Sequence, residues 1–166
     1  MTAPAVVFGG TGFLGAAVVD ALAARGWRVR VAARHPHTVA RRDSVEPWPV
    51  DVRDEAAVAA AVKEAGAVVN AVSLYVERGD LDFEDIHVQG AERIARLAAA
   101  AGVERGVHLS GIGVDPASTS RYVAARARGE AAVRAAFAAA TVLRPSVIFG
   151  PGDAFVSTLD TVTRLP

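Results

Sequence analysis

Glycines at positions 9, 12 and 15 of the stretch FGGTGFLG mark the passage from a β-branched run into a helical one. A turn stripped of side chains at this spacing can bring backbone N–H groups, and the positive end of the following helix, against the phosphates of a nucleotide. Gly9 permits the tight turn, Gly12 leaves room for a phosphate, and Gly15 lets the helix pack close to a sheet. Thr11 adds a hydroxyl donor, and Phe13 and Leu14 belong to the same cofactor-binding turn. A plain turn with close packing is the alternative use of the same residues. About 20 residues further on, an NAD site places Asp or Glu for the ribose 2′-OH. Here the position holds Arg34, followed by His35, with Arg41 and Arg42 nearby. A guanidinium pairs bidentately with a 2′-phosphate, so NADP(H) is favoured and NAD(H) stays open. Arg34 could instead lie over the adenine or point to solvent. Asp51 and Val52 are placed either to meet the adenine edge or, through Asp51, to cap the next helix.

These residues need elements to hold them. Apolar patterning predicts strands at 5–8, 28–33, 45–50, 67–72, 106–111 and 141–149, the third at an edge because of its prolines and the last broken at Pro145. Helices are expected from Phe13 to a stop at Gly26, with Leu14, Val18 and Leu22 on one face, and over 51–65. Two more are expected over 83–101, with Ile86, Ile94 and Leu97 inward, and over about 120–138. Alternating strands and helices joined by right-handed crossovers imply an α/β fold: a doubly wound parallel sheet of about six strands, of the Rossmann kind. Residues 1–150 would form this domain, and 151–166 the truncated start of a substrate-binding region otherwise largely absent.

Composition narrows the class. The chain has 166 residues, 52% hydrophobic and 22% charged, with a formal net charge of zero. A core can form, and no electrostatic argument favours nucleic acid or an anionic membrane. There is no cysteine, and Lys63 is the only lysine among the basic residues. The start, MTAPAVVF, lacks the pattern of a secretory signal, and no apolar run reaches the roughly 18 residues of a transmembrane helix. A cytoplasmic location is the expectation.

Taken in order, the glycine loop, Asp51-Val52, HVQGAERIARLAAAAGVERGVHLSGIG, SRYVAARARGEAAV and TVLRPSVIFGPGD resemble the extended and atypical short-chain dehydrogenase/reductases, the NAD-dependent epimerase/dehydratase superfamily. Within it, the likeness is greatest to the NADPH-binding accessory subunit of respiratory complex I and its bacterial relatives. The resemblance implies roles. Ser110 would polarise a substrate oxygen, and Tyr122 would give or take the proton. Arg126, one turn on, stands where active members carry a lysine that lowers the tyrosine pKa. Free tyrosine titrates near ~10 and needs such a cation to act at neutral pH. Pro145, Ser146 and Val147 match the loop that bonds the nicotinamide carboxamide, and Ala71 and Val72 the wall after the fourth strand. His87 stands where many members carry an asparagine of the proton relay.

Read without the resemblance, Ser110 is a strand-end hydroxyl and Tyr122 a half-buried core residue. His35, His37 and His108 lack a convergent carboxylate set, so no metal site is expected. Asp80, Asp82, Glu84 and Asp85 read as a solvated helix N-terminus, and Glu130, one turn from Arg126 and Arg134, as part of an ion-paired helix face. Two functions follow. One is an NADP(H)-dependent oxidoreductase or epimerase acting on a small molecule. The other is a non-catalytic dinucleotide-binding module serving assembly, peripheral to an inner membrane if it joins a respiratory complex. Either could be oligomeric.

Overall fold

The computed structural model describes residues 3–39, 42–150, 153 and 163; Arg41 and nearly all of the 151–166 segment lie outside the described residues. Six parallel strands run β1 (Ala5–Phe8), β2 (Val29–Ala33), β3 (Val45–Pro49), β4 (Ala67–Asn70), β5 (Arg105–Leu109) and β6 (Thr141–Leu143). Their order across the sheet is β3-β2-β1-β4-β5-β6, with β3 at an edge as its prolines require. The order reverses between β1 and β4. A crevice opens there beyond the carboxyl ends of the strands, where open α/β sheets bind ligands.

Alternation along β1 divides the core. Val7 faces Val19, Val29, Val31 and Val45, and α1 (Phe13–Ala24) covers that side. Val6 and Phe8 face the larger cluster with Val58, Ile94, Ala98 and Val133, built by α2 (Glu55–Val62), α3 (Gly90–Ala100) and α4 (Arg121–Ala136).

Several element expectations need correction. In α1 Val18 and Leu22 pack half-buried against the smaller cluster, in keeping with their shared face, while the fully buried positions are Gly15 and Val19, because Gly15 approaches the preceding turn. The second helix starts at Glu55, and its N-cap is Asp54, whose carboxylate accepts from Ala57 N at 3.0 Å; Asp51 is not the cap. The long third helix opens with a π-helical turn, Glu84–Gln89, before α3. Ile86 and Ile94 are buried as expected, and Leu97 packs partly buried against the same cluster. β6 stops at Leu143, well before Phe149. Among the described residues no helix is long and apolar enough to cross a membrane.

Candidate functional site

The crevice is a cleft of about 540 Å³. Every residue assigned to the cofactor from the sequence borders it, as do Ser110, Tyr122 and Arg126. Its first end is made of backbone. Gly9 adopts φ +74°, and a Cβ there would lie 2.8 Å from the Ala71 carbonyl; a Cβ on Gly15 would overlap the Gly9 carbonyl oxygen. Gly12 N donates to Gly9 O at 3.0 Å, closing the turn, and Gly12 itself caps α1 without a side-chain hydrogen bond. A groove that only glycines can line, beside an uncapped helix start, fits the pyrophosphate of a dinucleotide.

Arg34 leaves β2 at the cleft, exposed, and close enough to Asp51 to favour its ionised form. Asp51 is chiefly gripped by Arg53, whose guanidinium reaches both carboxylate oxygens at 2.8–3.2 Å and whose N–H donates at 2.9 Å. These bonds hold Asp51 below the usual carboxylate range. Arg42 is not part of this end. Because β2 and β3 are parallel, the intervening chain crosses back to the amino ends of the strands, and there Arg42 pairs with Asp20.

The other end is made of side chains. Ser120 caps α4, accepting from Val123 N at 3.4 Å, and the helix then presents Tyr122, Arg126 and Glu130 at four-residue spacing on one face. The Tyr122 ring is enclosed by Tyr75, Phe83 and His87, with centroids 5.5–5.8 Å away. Arg126 is 9% exposed, and its guanidinium carbon lies 5.6 Å from the centre of the Tyr122 ring. Its terminal nitrogens donate to Ser73 Oγ at 3.2 Å and Leu109 O at 2.8 Å, joining the ends of β4 and β5. Among the described residues it has no carboxylate partner, contrary to the expected pairing with Glu130.

Glu130 is instead buried, 4% exposed, and bound to Arg144 and Arg134. Arg144 engages both of its oxygens, at 2.7 and 2.8 Å, and holds the carboxyl at about 2. The Ser110 hydroxyl, sealed from solvent, lies near enough to Glu130 to favour that ionised form, but makes no hydrogen bond of good geometry. His87 Nε2 lies 2.8 Å from Leu74 O, the short contact of a donated hydrogen bond, and burial pushes the ring down to about 4, so it is neutral at pH 7. Gly129 allows α4 to meet the π-helical turn, since a Cβ there would overlap the His87 carbonyl. The acidic cluster is also more engaged than a solvated helix start. Asp80 pairs with Arg53, Glu84 with Arg128, and Asp82 accepts from Asp85 N.

Sequence reasoning missed Ser73, Tyr75 and the burial of Glu130. Helical spacing carried a signal for the last, because a residue four on from Arg126 shares its inward face. Nothing local marks Ser73 or Tyr75, which lie on the irregular stretch after β4.

The order of the strands, the glycine cradle at the switch point and the tyrosine–cation pair define a Rossmann-type, short-chain dehydrogenase/reductase-like domain. Residues 5–164 match the NAD dependent epimerase/dehydratase family, and the chain belongs to it. It is 33% identical over 167 residues to the mitochondrial NADH-ubiquinone oxidoreductase 40 kDa subunit of Neurospora crassa, covering 97% of this chain and 44% of that one. It is 37% identical over 149 residues to a ceramide reductase of Caulobacter vibrioides, covering 89% of this chain and 47% of that one. The chain thus spans less than half the length of these relatives. A short-chain dehydrogenase/reductase superfamily protein from Agrobacterium tumefaciens, solved with NAD bound, superposes with a TM-score of 0.69 at 25% identity, covering 84% of this chain and 48% of that one.

Proposed function

We propose that the chain is the dinucleotide-binding domain of an NADP(H)-dependent oxidoreductase or epimerase. The carrying observation is the Arg126 guanidinium: buried, unpaired with any described carboxylate, and beside Tyr122 on a cleft that begins at the glycine cradle. A buried cation left without an anion stabilises negative charge that arrives or develops nearby, here a phenolate. The glycine turn would hold the pyrophosphate, Arg34 the 2′-phosphate, and Pro145, Ser146 and Val147 the nicotinamide end. Bound nicotinamide supplies or accepts the hydride. Tyr122 would move the proton at its phenol oxygen, and Ser110 would orient the substrate oxygen if its hydroxyl turns from Glu130 to the cleft. Exposed Tyr75, Val76, Ile112, Ile148 and Phe149 stand on the loops around this end and suit a substrate or partner with a hydrocarbon surface. Titration with NADPH and NADH, followed by nicotinamide fluorescence, tests the reading. Saturable binding with NADPH the tighter is expected; no binding of either overturns it.

One feature favours a second reading, a non-catalytic module in a larger assembly. Both terminal nitrogens of Arg126 are already engaged by the protein, and the Ser110 hydroxyl is sealed away. The likeness to a respiratory-complex subunit is in keeping with it. Arg126→Lys separates the two. Turnover of a model carbonyl substrate that rises at least about tenfold, with cofactor affinity nearly constant, supports a catalytic site. No turnover in either form supports the module.

A further inference from the structure

We propose that Glu130, through Arg144, is a positioning residue that fixes the nicotinamide wall of the cleft against the helix bearing Tyr122 and Arg126. This rests on the dinucleotide reading above and extends it to a pair of residues outside the contact shell. Glu130 lies two turns after Tyr122 on the inward face of α4. Arg144 is the first residue beyond β6, immediately before Pro145, Ser146 and Val147, which border the cleft. The backbone on either side of Arg144 is tied to the end of β5: Ser110 N donates to Leu143 O at 2.8 Å, and Ile112 N to Pro145 O at 2.9 Å. Its side chain reaches the other way, with Nε on one oxygen of Glu130 and a terminal nitrogen on the other. The planar fork therefore joins the loop leaving β6 to α4, and the backbone bonds on either side of it tie the same loop to the end of β5, which Arg126 links to α4 through Leu109 O.

The geometry suits positioning more than general stability. β6 is a short edge strand of three residues, paired on one side only, and the loop it feeds is exposed. Among the described residues, no other hydrogen bond or ion pair runs directly from that loop to α4. A bidentate guanidinium–carboxylate pair specifies both distance and angle, which a single hydrogen bond does not. Arg134 also bonds Glu130, but from the same helix four residues on, so it adds charge without linking elements.

The adenosine half of the cleft, built by the glycine turn, Arg34 and Asp51, lies on other strands and does not touch this pair. Calorimetric titration can therefore compare a whole dinucleotide with its fragment lacking nicotinamide: NADPH against 2′-phospho-ADP-ribose, with NADH and ADP-ribose as the parallel pair. For Glu130→Gln and Arg144→Gln, affinity for the dinucleotide is expected to fall about tenfold or more while the fragment stays within about twofold. Arg144→Lys, which keeps charge but not the fork, should fall between, and Arg134→Gln should change neither ligand. Thermal unfolding is recorded for each variant, and if Glu130→Gln melts below the assay temperature, the two Arg144 variants carry the comparison. Equal losses for dinucleotide and fragment, or no loss for either, overturn the proposal. A wild-type chain that binds neither overturns the dinucleotide reading, and this inference with it.

Discussion

The two ends of the cleft are built on different principles. At the glycine end, the surface is backbone of an eight-residue stretch lying against the Ala71 carbonyl, and side chains matter chiefly by being absent. At the tyrosine end, the ends of β4, β5 and β6 and the face of α4 each contribute side chains, and arginines hold them together. A backbone cradle tolerates no added atom but depends little on distant sequence. A side-chain assembly tolerates substitution at each point, yet its geometry is only as good as the links between its elements.

Substitutions can break or sharpen this contrast. The largest effect is expected from Gly15→Ala, whose methyl would overlap the Gly9 carbonyl. Overpacking of this kind costs on the order of 1–3 kcal/mol or more, and dinucleotide affinity should fall at least about a hundredfold as the turn is displaced. A melting curve and titration near wild type would show that the cradle yields.

Acidification should act on the opposite end. Burial lowers His87 and His108 to about 4, below the ordinary value of 6.5. Both are neutral when folded at pH 7. As pH falls from about 6.5 towards 4 the unfolded chain takes up protons that the folded chain refuses, so stability is lost through that window, by on the order of 1–3 kcal/mol per ring. Glu130, held at about 2 by Arg144, adds a further loss from its ordinary 4.5 downwards. Melting temperature should therefore decline steadily below pH 6.5; a flat profile between pH 7 and 5 would mean the rings are not buried neutral.

Arg34→Asp tests the junction between backbone cradle and side-chain recognition. It should weaken NADPH by about 1.5–3 kcal/mol, the scale of a charge-assisted hydrogen bond, and NADH by much less. Equal losses would remove the 2′-phosphate assignment and leave the cradle intact. The smallest effect is expected for Arg42→Ala. Its exposed pair with Asp20 lies toward the amino ends of the strands, away from the cleft, so stability should change by less than about 1 kcal/mol and cofactor affinity not at all.

How much of this could be read from the chain follows the same division. Gly9, Gly12 and Gly15 disclosed the tight turn because turn, strand and helix are contiguous there, and the four regularly patterned helices and six strands all appear, with β6 ending six residues before its expected limit. Misjudged features depended on where the chain turns and what it meets there. Of the two uses open to Asp51, the helix cap falls away, because the helix begins later and Arg53, two residues on, grips the carboxylate. Arg42 looked like a neighbour of Arg34, until the parallel pairing of β2 and β3 carried it to the amino ends of the strands. Glu130 looked like a surface residue because its ion-pairing partners at one-turn spacing were obvious, whereas Arg144 lies fourteen residues away, beyond the helix and β6.

By itself the sequence determined the class of fold, the strand–glycine–helix cradle and a cation one helical turn after Tyr122, since periodicity, turn chemistry and residue type are local properties. Only tertiary structure decided which charges pair, which are buried and where the hydroxyl of Ser110 lies. Those outcomes depend on distances between elements, and packing sets them after the local patterns have been satisfied.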